Sequence, residues 1–166
     1  MSGKPELLRR AEEYSHRKGL IVVESLGVGV HGSVFAVENQ SEGGNLAIKV
    51  HLRQRDYARE RDVYLRLQQA GLTEIRGCSI PELLNFDDES WILEMTIVSR
   101  PFVLDFAGAY LDWAPEFSEE VLADWRAEKQ EQFGANWPEV QAILGALEIH
   151  GIFLVDVHPG NVSFGD

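Results

Sequence analysis

The sequence predicts an α+β protein in which an antiparallel sheet with one helix (residues 1–98) precedes a mainly helical part (residues 99–166). Three observations predict it. Short runs rich in β-branched residues at 19–27, 33–38 and 46–51 follow one another across turns too short for a crossover, so antiparallel pairing is the natural outcome. Residues 54–70, QRDYARERDVYLRLQQA, then switch to a helical period. Beyond Pro101 helical patterns dominate.

In chain order, residues 5–18 place Leu7, Leu8, Ala11 and Tyr14 at helical spacing, a short amphipathic helix ahead of the first strand. NQSEGGN (39–45) turns the second strand into the third. IPELLNFDDESWILEMTIV (80–98) gives two more strands around an acidic turn at Asp87, Asp88 and Glu89, making five. FVLDFAGAYLD (102–112) is expected to be a short helix. A second helix covers 116–133, with Ser118 as N-cap and Glu119 and Glu120 in the first turn. A third starts at Pro138 and runs to His150, with Val140, Ile143, Leu144 and Leu147 on one face, and Gly151 ends it. The tail, IFLVDVHPGNVSFGD, is an apolar run, a polar loop and a few strand-like residues.

The chain has 166 residues, 45% of them hydrophobic and 25% charged, enough to bury a core without a staple. Its single cysteine, Cys78, forms no internal disulfide and no multi-cysteine zinc site, which fits a reducing, cytoplasmic location. No stretch reaches membrane-spanning length, and the N-terminus has no signal-like apolar core. The net charge of -12 is lopsided: residues 1–70 carry 11 Lys/Arg against 9 Asp/Glu, residues 71–166 carry 4 against 18. Such acidity argues against binding nucleic-acid backbones. The acidic half reads as a solvated surface or as an attraction for a basic partner.

Three constellations carry candidate chemistry. GVGVHGSVF sets Gly27, Gly29 and Gly32 between two strands, where glycine lets backbone amides approach phosphates. A plain glycine-rich hairpin also fits. A dinucleotide fold does not, because strand-like SVFAVE follows rather than a helix. Lys49 shares a strand face with Ala47, opposite Leu46, Ile48 and Val50, and is either an edge residue reaching for water or a functional cation. Glu60 lies on the apolar stripe of helix 54–70 with Val63, Tyr64 and Leu67, so it points inward and needs a cation. Lys49 is the nearest candidate; Arg59 and Arg66 on the same helix face elsewhere. Third, DVHPGN (156–161) holds Asp156 and Asn161 in one tight loop, which suits a hard cation with phosphate oxygens or a hydroxyl awaiting deprotonation. His158 reads as structural, and His16, His31, His51 and His150 show no ligand spacing.

Together these segments resemble the protein kinase superfamily over residues 19–164. GVGVHGSVF is similar to its glycine-rich loop, AIKV (47–50) to its third-strand lysine motif, and Glu60 to the helix glutamate that pairs with that lysine. WILEMTIVSRPF is similar to the fifth strand and hinge, and HGIFLVDVHPGNV to the catalytic loop in its atypical, small-molecule-kinase form. The resemblance implies a five-stranded N-lobe, a helical C-lobe, and ATP with Mg²⁺ in the cleft between them. Lys49, held by Glu60, would contact phosphates under Gly27, Gly29 and Gly32. Val34 and Ala47 would line the adenine pocket, with the hinge near Glu94 to Val98. Asp156 would orient or deprotonate a Ser/Thr or small-molecule hydroxyl, and Asn161 would ligate the metal.

Two departures stand out. Leu154 and Val155 replace the family's His-Arg pair, which removes an activation-segment anchor. The family's metal-binding Asp comes after a further hairpin, and only five residues follow Asn161, so the core is expected to be truncated, with Asp166 as the substitute ligand. An ATP-dependent phosphotransferase, a nucleotide-binding pseudokinase and an interaction scaffold all follow from this reading. The truncation also implies that Trp125, Phe133 and Trp137 are exposed, favouring a homodimer or a protein partner.

Overall fold

The structure is a computed structural model that describes residues 3–165. Its strands are β1 (Leu20–Val28), β2 (Gly32–Asn39), β3 (Asn45–His51), β4 (Glu74–Ile75), β5 (Cys78–Ser79), β6 (Leu83–Asp87), β7 (Ile92–Met95), β8 (Phe102–Val103), β9 (Ala109–Leu111), β10 (Ile152–Leu154) and β11 (Val162–Ser163). Its helices are α1 (Gly3–Lys18), α2 (Gln54–Gln69), α3 (Glu119–Phe133) and α4 (Trp137–Ile149).

The period-two pattern of β3 decides the packing, because both faces of this strand are covered. Leu46, Ile48 and Val50 point toward α1, meeting Leu7, Ala11 and Tyr14. Ala47 points the other way, into a core shared with Tyr57, Val63, Tyr64 and Leu67 of α2. Each fully buried side chain such as Leu7 or Ile48 contributes about 1.5–3 kcal/mol. The sheet is antiparallel in the order β1-β2-β3-β7-β6, so β3 is central, with Lys49 opposite Val34 on one side and Leu93 on the other.

The second half departs from expectation at 102–112, which is not a helix. Val103 pairs with Val162 and Ala109 with Leu154, and the residues between form a loop. Two left-handed residues, Asp105 (φ +69) and Asp112 (φ +66), are incompatible with a helix. Tertiary pairing here overrides a helical periodicity spread over only eleven residues. Thus β8 pairs antiparallel with β11, and β9 with β10. The strand following Asn161 therefore takes its partner from upstream in the chain.

α3 starts as its cap predicts, with Ser118 Oγ accepting from the Val121 N–H at 3.2 Å. Gly151 follows α4 at φ +74, where a Cβ would lie 2.5 Å from Asp112 Oδ1. On α4, Trp137, Val140, Ile143 and Leu147 are buried, whereas Val121 of α3 and Ile149 of α4 are exposed. Phe133 and Trp137 are buried and stacked, which corrects the expectation that they are exposed, and Trp125 is partly buried, packed edge-on against Trp137. Among the described residues no helix is long and apolar enough to cross a membrane.

Candidate functional site

Lys49 and Glu60 form an ion pair, Nζ to Oε1 at 2.8 Å, with the Glu60 side chain fully buried and the Lys49 side chain 7% exposed. Lys49 neither snorkels nor sits at an edge. Arg66 instead pairs with Asp112, and Arg59 stacks on Tyr110. Glu60 has two further donors: His51 Nε2 at 2.7 Å from Oε1, and the Phe106 N–H to Oε2 at 2.6 Å. Burial raises the Glu60 carboxyl, but the Lys49 charge and the His51 hydrogen bond outweigh it and hold the group at about 2. Burial likewise lowers Lys49, and the carboxylates of Glu60 and Asp105 reverse this to a net rise.

The β1–β2 hairpin adjoins β3, with Val34 opposite Lys49 and Gly32 opposite His51 in the ladder. Gly32 is required by close approach: a Cβ there would stand 2.1 Å from the Val50 carbonyl oxygen. Gly27 and Gly29 are different, since a Cβ on Gly27 meets nothing within 4 Å and one on Gly29 meets only the Gly32 oxygen at 3.9 Å. The Gly29 N–H donates to the Gly32 carbonyl at 2.9 Å, so what the two glycines leave open is space on the Cβ side. At the tip, His31 leans across the mouth of the cleft, with Nδ1 3.2 Å from Asp56 Oδ2 and Nε2 3.8 Å from Asp156 Oδ2. Val34 and Ala47 face the same interior as Met95, whereas Glu94 turns away and accepts from the Tyr14 hydroxyl on the α1 side.

The loop 155–161 is fixed by Asn161. Its Nδ2 donates to the Asp156 carbonyl at 2.6 Å, and its Oδ1 accepts from the His158 N–H at 2.9 Å. His158 Nδ1 accepts from the Gly160 N–H at 3.0 Å, so His158 is structural. These bonds leave the Asp156 side chain 43% exposed at the cleft. Asp166 lies outside the described residues.

Three residues of this site were not read from the sequence. Asp105 accepts a hydrogen bond from Lys49 Nζ at 2.8 Å. His51 completes the shell of Glu60. Gly108 faces Asp156, where a Cβ would lie 3.1 Å from Asp156 Cβ. A signal existed: LDFAGA places an aspartate and a glycine inside an apolar run, a pattern unsuited to a helix interior. His51 follows Lys49 at i+2, on the same strand face.

Next to Asp156 opens a cavity of about 590 Å³ between α3, α4 and β10, walled mainly by apolar groups including Leu122, Trp125, Leu144 and Phe153. It touches the site at Asp156 and does not extend to Lys49. Among the described residues, no group of three or more His, Cys, Asp or Glu is gathered to hold a metal ion. No family model matches the chain, and no curated protein matches it.

Proposed function

We propose that the chain is a kinase-like nucleotide-binding protein that transfers the γ-phosphoryl group of ATP to a hydroxyl. The buried Lys49–Glu60 pair beneath the glycine hairpin carries this reading. A lysine with 7% exposure is held by Glu60 on its buried side and by the more exposed Asp105, and its third ammonium proton is left to aim at phosphate oxygens. A Cβ on Gly27 or Gly29 would meet nothing closer than 3.9 Å, so a phosphate can approach the hairpin backbone on that side without a side chain in the way. Asp156 accepts the proton of the acceptor hydroxyl as that oxygen bonds to the γ-phosphorus, while the bond to the bridging oxygen breaks and ADP leaves.

Magnesium belongs to this reading. Mg²⁺ is held by one or two oxygen side chains together with substrate phosphates rather than by an all-protein cage, and the amide oxygen of Asn161 is a donor of that class. When bound, the ion would neutralise charge on the phosphates. The apolar cavity at Asp156 favours a small molecule with an apolar body as acceptor over a peptide hydroxyl.

A second reading, a nucleotide-binding pseudokinase, is favoured by the closure of the cleft, where His31 reaches toward both Asp56 and Asp156. Transfer of label from γ-labelled ATP to hydroxylated acceptors separates the two. Incorporation by the parent that is abolished in Asp156→Ala supports the transferase. Nucleotide binding without any transfer leaves the switch.

A further inference from the structure

The β8–β9 segment enters the cleft from an unexpected direction. It precedes α3 and α4 in the chain, yet β8 pairs with β11 directly after Asn161, and β9 pairs with β10 directly before Asp156. These two ladders bring the connecting loops 104–108 and 155–161 side by side. The Leu104 N–H donates to the Asn161 carbonyl at 2.9 Å, and Gly108 stands against Asp156. Asp105 is the residue next to Leu104, so it lies at the Asn161 end of the β8–β11 ladder.

We propose that Asp105, together with Asn161, holds the divalent cation that accompanies the nucleotide, so that the carboxylate of the metal site comes from a segment upstream of the catalytic loop rather than from residues after it. The inference rests on the nucleotide reading above and names the metal-holding residue within it.

Four observations carry it. First, Asp105 is more than a counter-ion. Lys49 already pairs with Glu60 at 2.8 Å, and Asp105 at 2.8 Å is a second carboxylate on the same ammonium. Second, Asp56 and Asp156 add negative charge on either side of His31 at the mouth. A triphosphate alone is repelled by such a lining, and a cation between carboxylate and phosphate reverses the sign. Third, Asp105 is held at φ +69, a left-handed conformation that a non-glycine residue adopts at a cost and that recurs at functional positions. The surroundings fix it there: the next residue, Phe106, donates its N–H to Glu60 and packs edge-on against Tyr64 with ring centres 5.4 Å apart. The ion pair and this loop are therefore one unit. Fourth, the Asp105 side chain is 25% exposed, against 7% for Lys49, so it occupies the open side of the pair. On binding, Asp105 turns from the ammonium to the cation, and the released ammonium turns to the phosphates.

The test is calorimetric titration of ADP into the parent and Asp105→Asn, with and without Mg²⁺, with bound Mn²⁺ followed by electron paramagnetic resonance in the presence of ADP. Asn is chosen because it tolerates the left-handed conformation, and cooperative thermal unfolding checks the fold. The parent is expected to bind ADP more tightly with Mg²⁺ than without. Asp105→Asn is expected to bind metal-free ADP at least as well as the parent while losing about tenfold or more of Mn²⁺ affinity and most of the Mg²⁺ gain. An unchanged Mg²⁺ gain and Mn²⁺ affinity in the variant overturns the assignment and leaves nucleotide binding intact. A parent that binds ADP with no response to Mg²⁺ also overturns it. A parent that binds no nucleotide overturns both.

Discussion

Glu60 accepts hydrogen bonds from both Lys49 and His51 on the same oxygen, Oε1, at 2.8 and 2.7 Å, and from the Phe106 backbone on the other. One buried carboxylate thus ties the central strand, helix α2 and the loop carrying Asp105 into a single unit. Loosening Glu60 should disturb stability and ligand geometry together.

The first prediction concerns pH. The Glu60 carboxyl is held at about 2, below its usual 4.5, so its contribution is fully present above about pH 4.5 and is lost as pH falls through about 2. Glu60→Gln should therefore be less stable than the parent by on the order of 3 kcal/mol near neutral pH. Urea unfolding at several pH values should show the gap closing toward pH 2. A gap that stays constant with pH contradicts this account.

Two hairpin glycines should behave oppositely. Gly32→Ala places a Cβ 2.1 Å from the Val50 carbonyl and should cost about 2 kcal/mol or more. Gly27→Ala meets nothing within 4 Å and should change stability by less than about 1 kcal/mol, while weakening ADP binding because the new methyl crowds the phosphates. Thermal unfolding and calorimetry read the two effects separately.

Gly108→Ala should act first on Asp156, with His31 Nε2 the next neighbour at 3.7 Å. The added carbon lies 3.1 Å from Asp156 Cβ, so the loop must shift by a few tenths of an ångström. Transfer rate is expected to fall, by less than the about 10²-fold that a displacement of about 1 Å costs, with little change in ADP affinity.

Gly145 lines the apolar cavity on α4, and a Cβ there meets nothing. Gly145→Leu should fill the cavity without unfolding the helix, raise KM for an apolar acceptor, and leave Mg²⁺-dependent ADP binding unchanged. Equal KM values in parent and variant would place the acceptor elsewhere.

The N-terminal half was legible because its signals are local. Glycine and Asn/Ser turns separate β-branched runs, and the stripe of α2 puts Glu60 inward, from which its pairing with Lys49 follows on desolvation grounds alone. The segment 102–112 was not legible. Its strands are two and three residues long, and each is defined by a partner some forty to sixty residues away. Asp105 was hidden for the same reason: its approach to Lys49 is set by the pairing of β8 and β9 with strands far along the chain. The burial of Phe133 and Trp137 was misjudged because these residues pack on one another and on the main core.

The central claim is that Lys49 meets a nucleotide's phosphates beneath the glycine hairpin. Calorimetric titration of ATP with Mg²⁺ into the parent and into Lys49→Met measures it most directly. The account predicts saturable one-site binding in the parent and a loss of affinity of about tenfold or more in the variant, which lacks the charged contact. Equal affinities, or no binding by a parent that unfolds cooperatively, would contradict it.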